Sequence, residues 1–151
     1  MLEQAQGDLL KAPAAALVNP VNTQGVMGKG LALQFRRAFP ECFLAYKAAC
    51  KAGEVQVGTM HVFARSGAPR FIINFPTQRH WRQPSRLESV REGLSDLVVQ
   101  VRAHAIESLA IPPLGCGLGG LDWADVLPVV EAAFAEIPEV RVLVYAPFIS
   151  R

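Results

Sequence analysis

The chain has few residues suited to holding a metal, a disulfide or a membrane. Its 151 residues include three cysteines, Cys42, Cys50 and Cys116, an odd number with no C-x-x-C pair. Three histidines, His61, His80 and His104, share no ligand spacing with them. A disulfide framework and a structural zinc site are not expected, and no metal or cofactor is assigned. Charge is sparse as well: 15 basic against 13 acidic residues leave a formal net charge of +2. That is too little to argue for nucleic acid, so any such case rests on where the charges lie. Every long apolar stretch is broken within a few residues by charge, glycine or proline, and the N-terminal MLEQAQGDLLK has neither region of a signal peptide. A cytoplasmic monomer without membrane contact is the expectation.

Familiar catalytic signatures are missing too. A Walker A loop needs Ser or Thr after Gly-Lys, but Lys29 is followed by Gly30. A dinucleotide fingerprint needs G-x-G-x-x-G, whereas Gly25, Gly28 and Gly30 run G-x-x-G-x-G. Without a Walker hydroxyl or an acidic metal cluster, nucleotide hydrolysis by phosphoryl transfer is disfavoured. No G-x-S-x-G elbow marks a serine hydrolase.

About half of the residues are apolar, enough for one domain over residues 1–151 with an ordinary core. Leu17-Val18, Met60 to Phe63, Phe71 to Phe75, Leu109 to Ile111 and Val140 to Tyr145 read as strands. Gly30 to Phe39 and Pro40 to Ala52 read as successive helices, with Pro40 at a first helical position. Leu87, Val90, Leu94, Leu97, Val98 and Val101 repeat at three and four, and Ser85-Arg86-Leu87-Glu88 has the form of a capping box. A last helix should follow Asp122, with Pro128 as a kink or in a displaced first turn. Such alternation implies an α/β sandwich with helices on both faces of a parallel or mixed sheet.

Two glycine-rich stretches, NPVNTQGVMGKG and PPLGCGLGG, each follow a strand and open a helix, a geometry that offers amides and a positive dipole end to an anion. Together they could clamp a diphosphate; each alone could equally be a tight turn. Asp8 follows a first possible strand and either accepts from an adenine amine or caps a local turn. Asn22 and Thr23 suit ribose hydroxyls or turn chemistry. His61 and His104 fit structural or surface roles, and Cys116, between two glycines, fits packing. The loop after Phe75, PTQRHWR, gathers donors and rings, with Arg82 and Arg86 either tracking a nucleic-acid strand or simply solvated.

Three separated segments, GDLLKAPAAALVNPVNTQGVMGKGLALQFRRAFPECFLAYKAACKAGEVQVGTMHVF, RFIINFPTQRHWR and IPPLGCGLGGLDWADV, resemble the macrodomain family in order and over nearly the whole chain. The likeness extends to antitoxin macrodomains that remove ADP-ribose from thymidine in single-stranded DNA, opposing a DarT-like toxin. It implies a three-layer α/β/α sandwich with a central mixed sheet. It also implies ADP-ribose as ligand, with Asp8 toward adenine, the Gly25, Gly28, Gly30 and Gly115, Gly117, Gly119 loops around the diphosphate, and Asn22 near the distal ribose. Leu9, Val26, Met27, Thr77, Pro113, Cys116 and Leu118 are further implied ligand contacts. Arg79, His80, Trp81 and Arg82 are implied to meet ADP-ribosylated DNA. One position departs from the pattern. Where these relatives carry a lysine proposed to act at C1 of the distal ribose, this chain has Gln78, whose amide has neither a basic lone pair nor a charge. With Asn22 it remains the implied catalytic pair. A binding module without turnover and an ADP-ribose 1″-phosphate phosphatase are the alternatives.

Overall fold

The computed structural model describes residues 1–80 and 82–147. Strands β1 (Leu2–Ala5), β2 (Ala16–Asn22), β3 (His61–Ala64), β4 (Phe71–Gln78), β5 (Ser108–Ile111) and β6 (Arg141–Tyr145) form one sheet in the order β1-β6-β5-β2-β4-β3. Every neighbouring pair is parallel except β3 with β4, so the sheet is mixed. Four α-helices, α1 (Gly30–Ala38), α2 (Pro40–Lys51), α3 (Leu87–Ala103) and α4 (Trp123–Phe134), cover it.

The central strands are apolar on both faces because both faces are covered. On one face Ile73 and Phe75 of β4 and Ile111 of β5 meet Val90, Leu94 and Leu97 of α3 and Val126 and Val130 of α4. On the other, Leu17 and Ile72 meet Phe35 of α1 and Cys42 of α2. Adjacent residues on one strand, Leu17 and Val18 or Ile72 and Ile73, thus enter opposite layers of the sandwich.

Two local expectations are corrected. β4 runs on through Pro76, Thr77 and Gln78, which the sequence pattern left in a loop. β3 pairs only as far as Asn74, so the missing N–H of Pro76 interrupts no ladder with that strand. The capping box does not form: Arg86 is the N-cap of α3, and the backbone N–H of Ser85 donates to the Gly119 carbonyl at 2.9 Å. Tertiary contact with the second glycine loop has taken the serine away from the helix. Pro128 sits inside α4, beyond its first turn, while Asp122 caps the helix as expected by accepting from the Ala124 amide at 3.1 Å.

Gly93 marks the closest approach of α3 to β4, since a Cβ there would overlap the ring of the fully buried Phe75. Gly93→Ala gains about 1 kcal/mol of helix propensity but forces a buried ring to move, at a cost of about 1–3 kcal/mol. The expected outcome of urea unfolding is a net loss of stability; a stabilised variant would show that helix and strand part easily.

Candidate ligand-binding site

β2 pairs with β5 only through Ala16 and Leu17, but pairs with β4 as far as Asn22. Beyond Leu17 the two parallel strands separate, and the chain leaves them for opposite halves of the sheet. Open α/β sheets bind ligands at such a point, outside the carboxyl ends of the strands. Here a cleft of about 520 Å³ opens, walled by Asn22, Val26, Gly28 and Gly30 on one side and by Pro113, Gly115, Cys116, Gly117 and Gly119 on the other. Thr77, Gln78 and Ser85 also line it. A smaller cavity of about 280 Å³, lined by Gly7, Asp8, Leu9 and Tyr145, shares Leu31, Pro112 and Pro113 with the cleft.

The first loop is built around Asn22. Its side-chain oxygen accepts from the Gln24 amide at 2.9 Å and the Tyr46 hydroxyl at 2.9 Å, while its nitrogen donates to the Val26 carbonyl at 2.9 Å. The side chain expected to meet ribose thus holds the loop in shape. Tyr46, on α2, also donates to the Asn22 carbonyl at 2.7 Å, and burial pushes its phenol well above the usual range. Thr23 Oγ1 donates to the Arg79 carbonyl at 2.9 Å, tying this loop to the segment after β4.

The loop's residues divide by facing. A Cβ on Gly25 would meet Lys47 and Cys50 of α2, so Gly25 serves the turn. Met27 is buried at 1% exposure within the core, near Asn19, and its side chain is not a cleft wall. The side-chain positions of both residues thus face α2 and the core rather than the cleft. Val26 and Gly28 do face the cleft, and a Cβ on Gly28 would approach only Val26. Gly30 enters α1 at a φ of 56°, and Gly30, Leu31 and Ala32 of the first turn line the cleft. The N-cap Lys29 makes no side-chain capping bond to them. Uncapped first-turn amides with the positive end of the helix dipole suit a phosphate.

The second loop is shaped by Gly115, whose φ of 73° and whose closeness to Leu121, 2.5 Å from a Cβ placed there, exclude a side chain. A 3-10 turn, Gly117–Gly119, follows. The Cys116 thiol approaches the Leu114 carbonyl at 3.8 Å, and burial pushes its pKa up to about 11, with Asp122 adding to the effect. The sequence favoured a packing role, and the residue also forms part of the cleft wall. Asp8 makes the local turn that was one of its two readings, its carboxylate accepting from the Leu10 amide at 3.0 Å, and it lines the smaller cavity.

Gln78 lies beside Asn22 across a register shift in the β2–β4 ladder. Its side-chain nitrogen donates to the Gln83 carbonyl in a short contact. The segment after it is bonded to itself as well, with the Gln83 amide donating to the His80 carbonyl at 3.0 Å and the Arg82 amide to His80 Nδ1 at 3.0 Å. Arg79 and Arg82 are exposed on this turn. Trp81 and the side chain of Leu118 lie outside the described residues. Sequence reasoning missed Ser85 as a cleft residue, because S-x-x-E also spells a cap, and missed Tyr46, whose role depends on a contact 24 residues away. Among the described residues, no His, Cys, Asp and Glu cluster could hold a metal and no helix is long and apolar enough to cross a membrane.

A glycine-loop cleft at the switch point of a six-stranded α/β/α sandwich defines a ligand-binding domain of the macrodomain kind. A match to the Macro domain family spans residues 18–130, and the chain belongs to that family. It is 52% identical over 149 residues to the DNA ADP-ribosyl glycohydrolase of Thermus aquaticus, covering 97% of this chain and 41% of that protein. The macrodomain of Mycobacterium tuberculosis DarG superposes with a TM-score of 0.96 at 50% identity, covering 98% of this chain and 99% of that one. Thermosipho africanus DarTG in complex with ADP-ribose superposes with a TM-score of 0.92 at 34% identity, covering 99% of this chain and 42% of that one. The chain therefore spans about two fifths of the length of the curated relatives it matches.

Burial raises Cys42 as well as Cys116 to about 11, so both thiols stay protonated at neutral pH. Iodoacetamide labelling followed by mass spectrometry at pH 7.5 should be at least about tenfold slower at both than at an ordinary free thiol. Rapid labelling of Cys116 would mark it as an activated nucleophile instead.

Proposed function

We propose that residues 1–151 form one macrodomain that binds ADP-ribose and removes it from thymidine in single-stranded DNA, acting as a cytoplasmic, monomeric antitoxin to a DarT-like toxin. The observation that carries this reading is the cleft itself, whose two glycine walls and uncapped helix terminus suit a diphosphate. Similarity to the DNA ADP-ribosyl glycohydrolase of Thermus aquaticus supports ADP-ribosylated DNA as the substrate, and the resemblance to antitoxin macrodomains adds thymidine in a single strand. In this reading adenosine lies toward Asp8 and Leu9, the diphosphate between the loops, and the distal ribose near Val26, Thr77 and Gln78, with Asn22 positioning the loop. The exposed arginines Arg79 and Arg82, next to the cleft, meet the DNA strand.

Gln78 lowers turnover in this proposal. It brings no cation to the distal ribose, and its amide is engaged with Gln83. That same bond favours a second reading, in which the chain binds the modified strand and releases ADP-ribose slowly or not at all. Gln78→Lys should raise hydrolysis of a thymidine-ADP-ribosylated oligonucleotide by about 10²-fold or more while changing its affinity little, as restoration of a transition-state group does. Brisk hydrolysis by the unaltered chain, unaffected by Gln78→Lys, would move the chemistry to other groups.

Binding is tested separately. Gly28 has open space before it and an ordinary φ, so Gly28→Glu should fold while aiming a carboxylate into the cleft. Like charge against a diphosphate should weaken ADP-ribose by at least about 10²-fold in calorimetry with EDTA present. Retained affinity in the folded variant would make this loop only a turn.

A further inference from the structure

Ser85 stands out among the groups around the cleft. It is 6% exposed and lines the cleft beside Thr77 and Gln78, yet its hydroxyl oxygen is buried without a hydrogen-bond partner among the described residues. A buried hydroxyl left unpaired is unfavourable, and packing does not require it, since an alanine would leave the neighbouring apolar contacts in place. The surroundings are nevertheless shaped to admit it. A Cβ on Gly119 would come within 2.5 Å of Ser85 Oγ, and one on Gly115 within 3.2 Å of Ser85 Cβ. The Ser85 backbone is itself pinned to the second loop through the Gly119 carbonyl.

We propose that the Ser85 hydroxyl is a specificity group for the distal, ribose-phosphate half of the ligand, donating to one of its oxygens when the cleft is filled. This rests on the ADP-ribose reading of the cleft. Its place along the cleft sets which half it serves: Ser85 lines the large cleft with the second glycine loop and Gln78, whereas Asp8, Leu9 and Tyr145 line the smaller cavity. Rotation about one side-chain bond is all the hydroxyl needs to turn from the wall into the cleft. Because its backbone N–H holds Gly119, the same residue would report ligand engagement to the second loop without any movement of α3.

Calorimetry with ADP-ribose and with AMP, on the unaltered chain, Ser85→Ala and Ser85→Cys, separates this role from a packing role. Ser85→Ala should weaken ADP-ribose about tenfold and leave AMP within about twofold, the loss expected for one hydrogen bond. The melting temperature of the unliganded variant should be unchanged or higher, because an unpaired buried hydroxyl has been removed. Ser85→Cys, with a weak donor and a larger atom in the same place, should also lose ADP-ribose affinity selectively, and it serves if the alanine variant does not fold. Unchanged ADP-ribose affinity, or an equal loss for both ligands, would overturn the assignment while leaving the cleft's ligand intact. Failure of the unaltered chain to bind ADP-ribose would overturn the ligand reading and this inference with it.

Discussion

The first glycine loop has no ladder of its own, and its shape hangs on the side-chain amide of Asn22. Two backbone amides, one carbonyl and the Tyr46 hydroxyl converge on that group at the end of β2. The loop is thereby folded back over α2, burying Met27 and turning Gly28 toward the cleft. Because Asn22 is 6% exposed, these bonds form where water competes poorly, so losing the amide would leave buried donors unmatched. The position of α1's first turn, the width of the cleft and the tie from Thr23 to Arg79 all follow from this one anchored residue.

Beneath the cleft runs a second polar element. Asn19, Asn74 and His61 are register partners on β2, β4 and β3, and their side chains form a ladder: Asn19 Nδ2 donates to Asn74 Oδ1 at 3.1 Å, and Asn74 Nδ2 lies 3.1 Å from His61 Nδ1. Burial lowers the His61 pKa, which favours the neutral ring over the charged one. A slip of one residue between these strands would put each amide on the opposite face among aliphatic groups. The ladder therefore specifies register where parallel and antiparallel pairing meet. One atom of the ladder, Asn19 Oδ1, finds no partner among the described residues.

Electrostatics in the cleft come more from backbone than from side chains. The uncapped turn of α1 and the glycine walls present amides, and the thiol at Cys116 is held neutral. Among the formally charged groups Lys29, at the N-cap of α1, lines the cleft, while Asp8 lies in the smaller cavity and Arg79 and Arg82 on the turn after β4. Such an arrangement suits an anionic group.

Composition and local pattern were enough for the alternation of strands and helices, the Asp122 cap, and the presence of two glycine loops at strand ends, because each depends on residues within a turn or two of one another. The family likeness extended this to the mixed sheet. What local pattern misread were the groups whose partners are distant in the chain. Ser85 has the spelling of a helix cap, but Gly119 competes for its amide; Thr77 and Gln78 look like loop, but β2 extends alongside and draws them into the sheet. Asn22, Gly25 and Met27 share one loop, yet which of them lines the cleft and which faces α2 is set only when Tyr46 arrives to take the Asn22 oxygen. The sequence by itself determined that two glycine-rich loops would stand at strand ends; the tertiary contacts decided which side of each loop forms the cleft wall, because a loop's facing is fixed by long-range hydrogen bonds that no local spacing encodes.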